Sequence, residues 1–252
     1  MSEQLYIITG ASRGMGEAIA RQLLAPGHFV IGISRGSSAA LAAEAHARNA
    51  ALEQWPFDLA QPLAAAQALQ RWLQAQPAWR FAGATLINNA GVTARPGPVE
   101  AATLEDLSNA IRVGLEAALL LSSAFLRSTA PLGRARRILN ISSGLGRRAM
   151  AGSAAYCAAK AGMDNLSRAM ALDEAEKGDG AAIVSLSPGV IDTDMQRDLR
   201  AGDPSGFPNH GVFVNFKASG LLMSPDEAAS KVLRHLARAD FGQNVLADVR
   251  EA

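Results

Sequence analysis

One cysteine, Cys157, is present in 252 residues, so no disulfide can form within the chain. The four histidines, at 28, 46, 210 and 235, are scattered too widely for a metal-ligand pattern. No charge of one sign dominates either. Lys and Arg number 24 against 23 Asp and Glu, a formal net charge of +1 that excludes the footprint of a nucleic-acid or membrane-surface protein. The densest basic cluster, the arginines at 134, 136, 137, 147 and 148, is then read as a solvated loop or a subunit contact. The opening residues MSEQLYIITG show no charged-then-apolar leader pattern, and the longest apolar runs, such as AALLL at 117–121, are far shorter than a membrane span. These absences set the expectation of a cytoplasmic protein with no metal, nucleic-acid or membrane partner. Aromatics make up only 5% of the chain, and just two of them are tyrosines, Tyr6 and Tyr156.

What is present is a rhythm. Hydrophobic residues are 49% and charged residues 19%, enough for a sizeable core and too apolar for disorder. Short β-rich runs near 5–9, 29–33, 52–55, 84–88, 137–142, 182–187 and 243–247 alternate with helical stretches near 14–25, 38–50, 62–76, 103–130, 153–176 and 225–237. The strands are apolar along their length, which means burial on both faces. The expected fold is therefore α/β: one domain over 1–252, doubly wound, with a mostly parallel seven-stranded sheet and helices on both faces. Residues 197–224 read as one long irregular stretch carrying Phe207, Phe213 and Phe216, so 194–224 is expected to form a substrate loop or lid.

The first strand runs into TGASRGMG, residues 9–16, and then a helix. Gly10, Gly14 and Gly16 permit a tight turn and a close backbone approach, and the helix N-terminus behind them offers free N–H groups to a pyrophosphate. Gly10, Ser12, Arg13, Gly14, Met15 and Gly16 are thus the candidate dinucleotide loop. The second strand ends in Ser34-Arg35, where an NAD-selective site would carry an acidic residue. Arg13 and Arg35 could instead bond a 2′-phosphate, which favours NADP(H).

NNAG at 88–91, Ser142-Ser143, YCAAK at 156–160 and SPGVIDT at 187–193 complete a set whose order and spacing resemble the short-chain dehydrogenase/reductase family over essentially the whole chain. The resemblance implies a Rossmann-type fold and carbonyl–alcohol chemistry. YIITGASRGMGEAIA, SAAYCAAKAGMDN and SPGVIDTDMQ look most similar to its benzil-reductase and sepiapterin-reductase branch.

Tyr156 and Lys160 lie one turn apart on one helix face. The phenol, ordinarily near pKa 10, is the candidate general acid, and the lysine charge is expected to pull it toward neutral pH. Ser143 is expected to hydrogen-bond the substrate carbonyl and the developing alkoxide, with Ser142 as the neighbouring alternative. Cys157 is expected to pack rather than react. By resemblance, Lys160 would also hold the nicotinamide ribose; Asn88, Ala90 and Gly91 would line the adenine-ribose side; Asp58 and Leu59 would flank the adenine; and Pro188, Gly189, Ile191 and Thr193 would place the nicotinamide. Resemblance also implies a homo-oligomer, a dimer or tetramer, paired through the helices near 103–130 and 153–176.

Where the family usually carries an asparagine that holds a relay water, this chain has Gly114. That glycine either admits a water or lets a neighbouring helix approach, and asparagine restored there is expected to leave turnover equal or faster. Ser143, Tyr156, Met150, Met195, Phe207 and Phe213 are the candidate substrate contacts, and they suggest an apolar, aromatic or 1,2-dicarbonyl substrate; phenylalanines simply packing the lid are the competing explanation. Two other readings stay open: a sepiapterin reductase, and an NADP-binding redox sensor without chemistry. The pterin-anchoring aspartate expected four residues after a near-terminal glycine corresponds to Leu246, which speaks against pterin.

Overall fold

The computed structural model describes residues 3–77 and 80–251. Seven strands, β1 (Glu3–Thr9), β2 (His28–Ser34), β3 (Ala51–Pro56), β4 (Phe81–Asn88), β5 (Arg136–Ile141), β6 (Ala182–Ser187) and β7 (Leu246–Asp248), form one sheet in the order β3-β2-β1-β4-β5-β6-β7. Every ladder is parallel, so the sheet is wholly rather than mostly parallel.

Strand residues alternate between two cores. Ile8, Val30, Ile87, Leu139 and Val184 face one side, where they meet α1 (Gly14–Leu23), α2 (Ala39–Ala47) and α9 (Pro225–Leu236). Their neighbours Ile7, Ile31, Leu86, Ile138 and Ile183 face the other, against α3 (Pro62–Gln74), α5 (Ala117–Ser128) and α6 (Ala154–Ala175). Burial on both faces is why these strands read as continuous apolar runs. Local signals set the helix starts: Ser38 and Thr103 cap α2 and α4 (Leu104–Ile111), while Ser224 and Glu227 form a capping box in front of α9 with Pro225 in its first turn.

Several expectations need correction. The stretch 197–224 is not irregular: it contains most of α7 (Asp194–Ala201), a 3-10 turn at Pro204–Gly206, and α8 (His210–Ala218). The last strand begins at 246 rather than 243, because the chain is still turning at Gly242, whose φ is 97° and where a Cβ would press on Ala182. Arg136 is not solvated. It is 2% exposed and pairs with Glu174, itself 2% exposed, at 3.4 Å.

The membrane-span expectation also changes, since helix now runs unbroken from Leu104 to Ser128. Within its 25 residues an 18-residue window reaches a mean hydropathy of 1.3, long and apolar enough to cross a membrane by length and composition. Here Val113, Ala117, Leu121, Ala124 and Phe125 of that helix are spent on the core beneath the sheet. Its middle, Arg112–Glu116, is a π-turn.

Candidate active site

The parallel order puts the C-terminal ends of β1, β4, β5 and β6 side by side, where α/β sheets place their ligand crevice. At the end of β1 the chain turns through Gly10 (φ 70°) and Gly14 (φ 58°), a backbone region that favours glycine. Arg13 holds the N-cap position of α1 without a side-chain bond into the helix, leaving the first-turn N–H groups uncapped by its side chain. A Cβ on Gly16 would fall onto the Gly10 carbonyl and the Asn89 amide, so only glycine lets helix and loop close so tightly. Uncapped N–H donors around a glycine cradle suit a pyrophosphate.

Asn89 and Thr9 brace this loop. The Asn89 and Ala90 N–H groups both donate to Thr9 Oγ1 at 2.9 Å, and Asn89 Nδ2 donates to the Thr9 carbonyl at 2.9 Å. Neither residue was singled out from the sequence, although Asn89 stands inside the NNAG motif that was. Across the crevice, Thr193 brings its methyl to 3.6 Å of where a Gly14 Cβ would sit, so the segment after β6 faces the loop after β1. In that segment Pro188 is buried, Gly189 turns at φ 82°, and Ile191 forms a parallel bridge to Met223.

Some candidate cofactor residues are placed otherwise. The Asn88 side chain is buried between strands and α5, its amide donating to Asn140 Oδ1 at 2.8 Å and Ser122 Oγ at 3.1 Å, so it ties the core instead of lining the crevice. Leu59 and the Met15 side chain belong to the two cores; for Met15 only the backbone N–H is left to a ligand. Asp58 accepts from the Ala60 N–H at 3.0 Å in a local turn. Arg35 is exposed, and Arg13 reaches Asp194 at the start of α7, 2.6 Å away, where a 2′-phosphate would compete with that carboxylate.

The three proposed reactive side chains converge. Ser143 ends the segment after β5 and accepts from the Leu145 N–H at 3.2 Å, capping the 3-10 turn Gly144–Gly146. Ser142 is buried, its N–H donating to the Leu186 carbonyl at 2.9 Å. Lys160 is 3% exposed, donates from Nζ to the Ile141 carbonyl at 2.6 Å, and lies 5.7 Å from the Tyr156 ring centre. A Cβ on Gly91 would stand 3.5 Å from that Nζ, so Gly91 leaves the ammonium reachable from the end of β4.

The electrostatics reverse one expectation. Lys160 does not draw the Tyr156 phenol down: burial raises it above its ordinary value, with a hydrogen bond to Ser143 opposing and Cys157 adding to the rise. Lys160 itself is lowered to about 8, first by burial and with Asp164 opposing. The neutral phenol is the form that can donate a proton to a carbonyl oxygen.

The phenylalanines of the 194–224 segment are structural. Phe207 is fully buried, stacks on Phe213 at 5.4 Å and presses on Gly152, while Phe213 meets Phe216 edge-on at 6.0 Å. Phe207 and Phe213 therefore pin the 194–224 segment to the body and are withdrawn as substrate contacts. Met150 and Met195, only partly buried on that cluster, keep exposed surface for one.

Gly114 lies in the π-turn, and a Cβ there would sit 3.0 Å from Ala159 Cβ, next to Lys160. Close helix approach, not space for an added side chain, is what this glycine provides. Gly114→Asn is thus expected to lower turnover severalfold and cost about 1–3 kcal/mol through overpacking. Thermal melts and initial rates check this; wild-type values for both would show that α6 yields freely.

The family model described as short chain dehydrogenase matches residues 4–204. Benzil reductase ((S)-benzoin forming) of Bacillus subtilis is 34% identical over 248 residues, covering 98% of this chain and 99% of its own. The Bacillus cereus enzyme of the same name is 34% identical over 245 residues, covering 97% and 98%. A solved short chain dehydrogenase from Burkholderia cenocepacia, in complex with NADP, superimposes with a TM-score of 0.77 at 26% identity, covering 98% of this chain and 95% of its own.

Proposed function

The chain belongs to the short-chain dehydrogenase family, an oxidoreductase acting on carbonyl or hydroxyl groups, and from that premise we propose that it is an NADPH-dependent reductase of apolar or aromatic ketones and 1,2-diketones of the benzil type. The observation that carries this reading is the convergence of Ser143, Tyr156 and a buried Lys160 beside the glycine cradle. NADP(H) fits the cradle: the loop residues Gly10, Ser12, Arg13, Gly14 and Gly16 would hold the pyrophosphate, and Arg13 and Arg35 the 2′-phosphate, with no acidic residue at Ser34. Ala90 and Gly91 would line the adenine-ribose side, and Lys160 and Thr193 would hold the nicotinamide half.

When bound, the cofactor supplies the hydride. The chain supplies the rest. Ser143 Oγ donates a hydrogen bond to the carbonyl oxygen and orients it. The Tyr156 phenol gives its proton to that oxygen as negative charge develops there. Lys160, charged below about pH 8, sets its ammonium 5.7 Å from the centre of the phenol ring and would hold the nicotinamide ribose. Met150 and Met195 offer the apolar side of the site. The benzil reductases at 34% identity support the diketone class. Leu246 opens β7, and the nearby Asp248 is 4% exposed and bonded to Arg250, which leaves pterin without its anchor. A homo-oligomer paired through α4, α5 and α6 would cover the exposed Leu104, Leu119 and Leu172.

Initial rates with NADPH and NADH, each with benzil, smaller diketones and sepiapterin, test the reading. Benzil reduction with NADPH favoured at least tenfold is expected. Equal use of NADH would overturn the arginine assignment, turnover of sepiapterin alone the substrate class, and no turnover of any carbonyl the enzyme itself.

A further inference from the structure

Below the reactive pair, α6 carries a carboxylate that this chemistry leaves unused. Asp164 follows Lys160 by one helical turn and Tyr156 by two, on the same face. It is 2% exposed. Two elements close on it, β6 and the turn that Ser143 opens. Ser185 of β6 donates to Asp164 Oδ1 at 2.6 Å. Arg147, in the turn that Ser143 opens, brings Nε to 3.5 Å of Oδ2 while its Nη2 donates to the Ala247 carbonyl in β7 at 2.8 Å. Gly146 of that turn passes so close that a Cβ there would lie 2.9 Å from Oδ2 and 3.0 Å from Ser142 Oγ. Asp164 Oδ2 and Ser142 Oγ are both buried, and neither has a hydrogen-bond partner among the described residues.

A buried carboxylate with an uncommitted oxygen is costly unless an opposite charge compensates it. Two cations answer that need: Arg147, bound to the Ser143 turn, and Lys160, one turn up the helix. Among the described residues, the remaining groups facing Lys160 carry no charge. They are the Tyr156 phenol on α6, the Ile141 carbonyl at the end of β5, Gly91 after β4, and Gly114 packed on Ala159.

We propose that Asp164 is a positioning residue of the reduction: it fixes the Ser143 turn against α6 through Arg147 and Gly146, and it serves as the counter-charge of the buried Lys160. The kinetic half of this inference rests on the reductase reading above; the counter-charge half does not. Its electrostatic corollary is the opposing influence of Asp164 on the lowered Lys160.

With only four lysines in the chain, lysine-selective ¹³C NMR can follow Lys160 directly. The wild-type midpoint is expected at about 8. Asp164→Asn keeps the shape and removes the charge, so the midpoint should fall by roughly one unit. The alkaline limb of kcat for benzil should fall with it, while KM for NADPH changes little. Ser185→Ala keeps the charge and removes the tether, so kcat should drop severalfold with the Lys160 midpoint in place. A folded Asp164→Asn with an unmoved midpoint overturns the counter-charge role. Wild-type kcat in Ser185→Ala overturns the positioning role, and that variant serves even if Asp164→Asn does not fold. A wild-type chain that titrates as expected yet reduces no carbonyl would sink the reductase reading and leave the counter-charge to the NMR result.

Discussion

Tyr156→Phe is expected to lower turnover by roughly a thousandfold while NADPH still binds, the range that a positioned general acid contributes. The substitution removes one hydroxyl and keeps the ring that packs against Lys160. Phenylalanine can stack there but has no proton to give. The developing alkoxide would then rely on the Ser143 hydroxyl, whose bond from the Leu145 N–H fixes it for orientation. Single-turnover rates with benzil and a fluorescence titration of NADPH separate the two halves of this expectation. Loss of rate with unchanged affinity supports the acid role. Turnover within tenfold of wild type would move the proton donor elsewhere.

The largest stability effect is expected at Glu174→Met. Arg136 and Glu174 are both about 2% exposed and lie 3.4 Å apart. Glu174 also accepts from the Ala181 N–H at 2.8 Å and pairs with Lys177. Burial pushes its carboxyl up, but Lys177, Ala181 and Arg136 together outweigh that and hold it below its ordinary value. Methionine there leaves the Arg136 guanidinium buried with only backbone carbonyls such as Gly133 as partners. Breaking a buried pair from one side costs about 3–5 kcal/mol. Urea unfolding at neutral pH measures it, and specific activity of the folded fraction should be unchanged. The sign with pH follows from the depressed carboxyl. Its stabilisation is complete above the unfolded value near 4.5 and is lost as pH falls through the folded one, so wild type and variant should converge in acid. A loss below ~1 kcal/mol would mean that water reaches Arg136.

The sequence was most legible where chemistry and backbone geometry coincide. Gly10, Gly14 and Gly16 signalled the cradle because a positive φ or a backbone collision leaves no other residue there. The strand runs were readable because residues like Ile7 and Ile8 each fill a different core. Legibility failed where a side chain's direction mattered. Asn88, the last residue of β4, points into the core because a strand turns successive side chains to opposite faces, and Leu59, in the turn after β3, packs into the core as well. Arg136 looked solvated beside four other arginines because its partner, Glu174, lies far along the chain and only folding joins them. The short helices within 194–224 were missed because the helical period is carried by few residues, and their phenylalanines are spent on one another. Tyr156 illustrates the remaining gap: the helix spacing gave its neighbour Lys160, but only burial decides which way the phenol shifts.

The all-parallel sheet has one further consequence, and it concerns time. No strand can pair with a neighbour through a hairpin, so every ladder waits for a crossover. Ile7, at the centre, is matched with Ile31 on one side and Leu86 on the other, and the outermost ladder joins Leu186 to Ala247. Such distant pairings must meet the cost of closing long chain segments before any contact rewards them, which places this protein among slow folders that pass through partly assembled states. In those states β1, the strand that bears the glycine cradle, has both edges open until β2 and β4 arrive, and it is there that a misassembled chain would first find another copy of itself.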